Sequence, residues 1–123
     1  MISFGNKSGK ELTLFYKVNE SGYRQVSPGI RLKTLVYGEK TLLSEFRMEA
    51  NSLLPKHSHL HEQTGYLVEG KIKLTIGQQT FEVRPGDSWC IPGNTDHSAE
   101  ILENSLAIEV FSPVREDYLP EKK

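Results

Sequence analysis

Three of the four histidines in the chain are spaced two apart, as His57, His59 and His61 in the stretch Pro55-Lys56-His57-Ser58-His59-Leu60-His61-Glu62-Gln63, and the fourth is His97. Neutral imidazole is the commonest protein ligand for a metal ion. Alternate residues of an extended chain point to the same side, so a strand or strand end here turns His57, His59, His61 and Gln63 toward one cavity. The plain alternative is a polar, solvated loop that happens to be rich in histidine. A lone His-x-His supplies only part of a coordination shell, but the downstream segment is less common. Gly70, Pro85-Gly86-Asp87 and Ile91-Pro92-Gly93-Asn94-Thr95-Asp96-His97 place glycine or proline at each turn and bring the chain back to a histidine.

The elements that must position these residues read as strands. From Ile30 onward short apolar segments are broken by turn residues, the pattern of an all-β sandwich or barrel. Ile30 to Tyr37 and Leu42 to Met48 flank the break Gly38-Glu39-Lys40. Tyr66 to Val68 leads to Gly70. Ile72, Leu74 and Ile76 alternate with Lys71, Lys73 and Thr75, which predicts a half-buried strand with one wet face. Gly77-Gln78-Gln79 turns the chain into Phe81 and Val83. Ser88 to Ile91 and Ser98 to Leu102 are two further strands, followed by Leu106 to Phe111, in which Ala107, Glu109 and Phe111 share one face. No segment keeps a helical period over the roughly 10 to 12 residues that a helix requires. The apolar run Leu12 to Val18 fits a strand, and Leu119 to Lys123 reads as a frayed tail.

A chain of 123 residues encloses one core and leaves little for a second. With 37% hydrophobic and 25% charged residues it has the composition of an ordinary soluble globular protein. Fifteen basic and sixteen acidic residues nearly cancel, which gives no electrostatic reason to expect nucleic acid or an anionic membrane as partner. A small ligand fits better. No apolar run approaches the roughly 18 residues that span a bilayer, and the amino terminus lacks the apolar stretch of a signal peptide, so a cytoplasmic protein is expected. Cys90 is the only cysteine. Between Trp89 and Ile91 it reads as a small buried hydrophobe.

The order of these residues resembles the cupin superfamily, whose first motif reads Gly, five residues, His-x-His, three or four residues, Glu, six residues, Gly. Here His57, His59, Gln63 and Gly70 fall on it, with Asn51 where the leading glycine stands and Gln63 where the glutamate stands. The second motif reads Gly, five residues, Pro-x-Gly-x-x-His, three residues, Asn. Gly86, Pro92 and His97 fall on it, the second glycine is shifted to Gly93, and Ile101 replaces the Asn. The resemblance covers residues 30 to 118. It implies an all-β, single-domain double-stranded β-helix, the cupin jelly-roll barrel. Residues 1 to 29 precede it as an extension whose strand either meets a second subunit or forms an edge of its own sheet, and a homodimer is expected.

Carried over from the family, His57, His59 and His97 are ligands to one divalent transition metal per chain (nickel, zinc, iron or manganese), and Gln63 takes the glutamate's place. Three imidazoles and an amide add no negative charge, so a divalent ion keeps its Lewis acidity toward a hydroxyl or carbonyl. Iron oxygenases often include a carboxylate ligand. A Gln63 that only orients a ligand histidine is the alternative.

Together with His57-Ser58-His59-x-His61-Glu62-Gln63 and Gly65-Tyr66-x-x-x-Gly70, the run Val110-Phe111-Ser112-Pro113-Val114-Arg115-Glu116-Asp117-Tyr118 is similar to the small pectin-degradation cupins that open unsaturated uronate rings. The resemblance implies catalytic roles for Glu109 and Arg115 and a cavity lined by Phe111 and Arg115. Glu109 stands where that group has aspartate. His61 and Tyr66 are expected to line the cavity, and a surface ion pair with Glu116 or Asp117 is the plain reading of Arg115. The implied activity is ring opening or isomerisation of a small anionic sugar without redox change. An iron-dependent dioxygenase and a non-catalytic binding cupin are the alternatives.

Overall fold

The computed structural model describes residues 13 to 120. Its strands are β1 (Arg24–Ser27), β2 (Ile30–Tyr37), β3 (Leu42–Met48), β4 (Leu53–His57), β5 (Glu62–Ile76), β6 (Gln79–Val83), β7 (Ser88–Ile91) and β8 (His97–Ser112), followed by one 3-10 turn at Glu116–Tyr118. Every pairing is antiparallel. The order β1-β2-β3-β8-β5-β6, with β4 on β8 and β7 on β5, is that of a jelly roll in which the two longest strands are shared between both halves. The first part of β5 pairs with β7 and its second part with β6. Likewise the first part of β8 pairs with β4 and its second part with β3.

β2 and β3 have the bounds that the alternation predicts. The segments on either side of Gly70, which read as separate strands, are instead one strand, as are those on either side of Asn104. Their shared register slips between Leu67 and Ile72. Gly70 lies in that stretch at φ 98°, and a Cβ there would stand 2.5 Å from the Asn104 carbonyl oxygen. The glycine therefore bends the strand where an L side chain would block it, and the ladder continues beyond the bend.

Inward alternation then builds one core from both halves. Ile30, Leu32, Phe46, Met48, Leu67, Ile72, Leu74, Val83, Ile101, Ala107 and Phe111 are all buried in it. At roughly 1.5–3 kcal/mol for each large apolar side chain removed from water, this cluster is the main source of the barrel's stability.

The outer surface departs from the sequence reading in three places. Leu12 lies outside the described residues, and 13 to 18 form no strand. Lys33 Nζ of β2 lies 5.3 Å from the centre of the Tyr16 ring in this segment, and it donates to the carbonyl of the following Asn19 at 2.6 Å and to its Oδ1 at 2.9 Å. Cys90 is exposed, because the inward positions of β7 belong to its neighbours Trp89 and Ile91. Leu119 packs against the core, so the frayed tail does not include it, and residues 121 to 123 lie outside the described ones.

Candidate metal centre and cavity

The histidine stretch is a strand only as far as His57; His59 and His61 come after it in the loop before β5. The alternation nevertheless continues, with His57 and His59 half-buried and Ser58 and Leu60 exposed. β4 pairs His57 directly with His97 at the start of β8. As a result, ligand nitrogens of His57, His59 and His97 all lie within 4.8 Å of one another.

Backbone carbonyls fix the tautomers. His57 Nδ1 lies 2.8 Å from the Pro55 oxygen, His59 Nδ1 3.0 Å from the His61 oxygen and His97 Nδ1 2.9 Å from the Thr95 oxygen. A carbonyl can only accept, so each Nδ1 carries the hydrogen and each Nε2 presents a lone pair. His97 Nε2 is buried with no hydrogen-bond partner. Burial pushes the His97 pKa down to about 4 and, with the Arg115 charge, lowers that of His59. Both rings are therefore neutral near pH 7, the form that binds a metal.

Gln63 faces inward from β5 and is buried. Its Nε2 donates to Glu109 Oε2 at 2.7 Å, which leaves Oε1 facing His59 Nε2 at 3.1 Å. Two lone-pair atoms at that separation call for a cation. Burial disfavours a proton on His59, whereas a divalent ion satisfies both atoms together with the orphaned His97 nitrogen. The residues present fit a metal ion with a neutral N/O donor set.

Behind this cluster is a cavity of about 330 Å³, walled by apolar side chains of both halves, with His57, Gln63, His97, Glu109, Phe111, Arg115 and Tyr118 among its lining residues. The parity predicted for β8 holds: Ala107, Glu109 and Phe111 all point inward and are buried. Glu109 is 8% exposed. Its Oε1 accepts from Trp89 Nε1 at 3.1 Å and its Oε2 from Gln63. Burial pushes its pKa up to about 7, opposed by these two hydrogen bonds and by the Arg115 charge.

Arg115 makes an ion pair with Asp117 and also lines the cavity. Its Nε and Nη2 donate to the two oxygens of Asp117 at 3.1 and 2.6 Å, yet its side chain is only 13% exposed. The guanidinium lies 3.9 Å from the centre of the Tyr118 ring and 5.2 Å from that of Phe111. Asp117 thus locks one edge of the fork while the stacked plane borders the cavity.

Tyr66 is a correction. It has the parity opposite to Gln63, Gly65 and Leu67, and at 50% exposed it lies on the outer face. His61 is not among the cavity's lining residues; its ring stands 5.6 Å from that of His59, and the part it plays in the site is its carbonyl, which fixes the His59 tautomer. Two contributors are not suggested by the histidine motif. Asp117 holds Arg115, and Trp89 reaches Glu109 from the far side of β5. The signal for Trp89 is Gly65, an empty inward position two residues after Gln63.

Comparison with known proteins agrees with the barrel fold. The sequence matches the cupin domain over residues 44–112. It is 24% identical, over 103 residues, to the pectin degradation protein KdgF of Dickeya dadantii (strain 3937), a match spanning 82% of this chain and 94% of that protein. Among solved structures, KdgF from a Halomonas species superposes with a TM-score of 0.81 at 30% identity, covering 87% of this chain and 99% of that one. An RmlC-like cupin from Shewanella frigidimarina shares the fold, with a TM-score of 0.81 at 23% identity over 87% and 96% of the two chains. With more than half of its length matched and its barrel shared with these structures, the chain belongs to the cupin family.

Proposed function

We propose that this cupin is a metal-dependent enzyme that opens or isomerises a small anionic sugar of the unsaturated uronate kind, without redox change. The observation that carries this reading is the convergence of a buried carboxylate, an aromatic ring and a stacked guanidinium, Glu109, Phe111 and Arg115, beside the histidine cluster in one cavity. The likeness to proteins named for pectin degradation supports it. A carboxylate buried at a perturbed pKa in a cavity is a common feature of catalytic sites and supports the enzymatic reading. The amide of Gln63, standing where a carboxylate ligand would serve iron redox chemistry, favours it over a dioxygenase.

His57, His59 and His97, with Gln63 Oε1, would hold one divalent ion, and that ion supplies Lewis acidity toward a hydroxyl or carbonyl oxygen. Opening a cyclic hemiacetal takes a proton from the anomeric hydroxyl as the bond to the ring oxygen breaks. With an unsaturated ring the oxygen leaves as an enolate, and protonation at carbon yields the keto acid. Atoms and electrons balance with no oxidant and no added water. Glu109 would accept and return that proton, since each of its oxygens retains a lone pair beyond the bond it accepts. Phe111 packs on the sugar face. Arg115 pairs with the substrate carboxylate through the edge of its fork that Asp117 leaves uncommitted.

The backbone of residues 13 to 18 is in no strand, and Leu14, Phe15 and Val18 are 60%, 76% and 80% exposed. This supports a homodimer joined through the segment. Phe15→Glu is expected to shift the sedimentation coefficient to that of a monomer; an unchanged dimer, or a parent that is already monomeric, rejects this interface.

Metal analysis of the purified parent should find one divalent ion per chain, and His57→Ala combined with His59→Ala should lose it. Equal metal content in both proteins would mean the site lies elsewhere. Glu109→Gln keeps the side chain's size and removes the base. Turnover, followed by the disappearing ultraviolet absorbance of the unsaturated ring, should drop by roughly 10²-fold or more with metal content intact. Activity within a factor of two of the parent sinks the assignment. Arg115→Lys keeps the charge but loses the planar fork, so calorimetry should show weaker binding of an anionic sugar. Equal affinity would leave Arg115 as a partner of Asp117 alone.

A further inference from the structure

One row of inward positions crosses three neighbouring strands. Gly65 on β5 is paired with Trp89 on β7 at one side and with Glu109 on β8 at the other. Because Gly65 has no side chain, the indole lies over the β5 backbone in the space that a side chain would take. A Cβ at 65 would stand 2.2 Å from Trp89 Cε2 and 2.4 Å from its Nε1. This close approach brings the indole N–H within 3.1 Å of Glu109 Oε1. The other oxygen of Glu109 accepts the Gln63 amide at 2.7 Å, and the amide's own oxygen faces His59 Nε2 at 3.1 Å.

The geometry points to Trp89 as a positioning residue for the metal centre, acting through Glu109 to fix which way the Gln63 amide faces. An amide can present either oxygen or nitrogen to the histidines, and only the oxygen serves a cation. Ionised Glu109 selects the oxygen, because a carboxylate accepts from N–H and repels C=O. It can do so only while its own carboxylate is held in place, and the indole provides the second anchor. The indole is larger than a phenyl ring and also carries an N–H donor, and it is the donor that reaches Glu109 Oε1. The residue therefore has a role that volume alone does not explain.

This inference rests on the reading of Gln63 as a ligand. Both are tested with zinc alone, so neither depends on the reaction. Zn(II) affinity is measured by chelator competition for the parent, Trp89→Phe, Gln63→Ala and the double variant. Trp89→Phe should weaken zinc binding by about 10-fold, the lower end for partners that orient a ligand. In the Gln63→Ala background the same substitution should change affinity less than about twofold, since residues that act through one another are not additive. Equal weakening in both backgrounds, or none in the parent, overturns the role of Trp89. No cost from Gln63→Ala itself overturns the ligand reading and this inference with it.

Trp89 is the only tryptophan in the chain, so a ¹⁵N-labelled protein has one indole N–H cross-peak, and this second measurement needs no variant at 89. The peak should move when zinc is added to the parent and stay in place when zinc is added to Gln63→Ala. A peak that ignores zinc in the parent overturns the inference even if Trp89→Phe fails to fold.

Discussion

The pairing of β5 with β8 from Glu62–Ser112 to Ile76–His97 is the constraint on which the site depends. Backbone hydrogen bonds fix which residues stand opposite, and the two-residue side-chain period fixes which of them point inward. Gln63 beside Phe111 and Gly65 beside Glu109 are consequences of that register. A slip by one residue would turn Glu109 and Phe111 outward and bring Ile108 and Val110 in. The bend at Gly70 lets the same two strands serve both halves, so the strand that carries Glu109 also begins with His97. Histidine cluster and carboxylate therefore share a rigid frame, although His59 is held on a loop.

Desolvation acts in opposite directions on the charges in this frame. It lowers the pKa of His97 and raises that of Glu109, because it favours the neutral form of each. A neutral histidine is the form that a metal needs, so burial assists ligation. A neutral carboxyl is not a base, so burial alone works against the role proposed for Glu109. The hydrogen bonds from Gln63 and Trp89 and the charge of Arg115 pull the other way, and a divalent ion in the cluster would add to them. With an ion held there, the carboxylate and the histidines would form one electrostatic unit, and the protonation of Glu109 would depend on occupancy of the site.

Much of this is legible in the chain itself. The two cupin-like motifs name His57, His59, Gln63 and His97, and strict alternation from Leu106 to Phe111 places Glu109 with Phe111. The rest is hidden for specific reasons. Gly70 and Asn104 carry turn chemistry, yet strand pairing on both sides carries the ladder past them, so four apparent strands are two. Tyr66 and Gln63 differ by three residues, an odd number, which puts them on opposite faces once β5 is known to be continuous. Cys90 is apolar enough for a core but sits between two inward positions. Trp89 is 20 residues from Glu109 in the chain, and only the sheet order, with β5 between β7 and β8, brings them together across Gly65.

The identities at 63 and 109 also constrain each other. An amide is the side chain that can offer an oxygen to a cation and, from the same planar group, donate N–H to a carboxylate. Were residue 63 a glutamate, two carboxylates would face each other at the 2.7 Å now spanned by a hydrogen bond, and one of them would have to hold a proton or turn away. A second carboxylate would thus be gained at the expense of the ionised carboxylate at 109. Asparagine is shorter by a methylene and could not span from β5 to both His59 and Glu109. The longer side chain at 109 meets a matching need, since it must reach the indole of Trp89 across an empty strand position as well as Gln63 on the diagonal. Gln63 and Glu109 therefore make one interaction, in which a single amide faces the histidines with its oxygen and the carboxylate with its nitrogen.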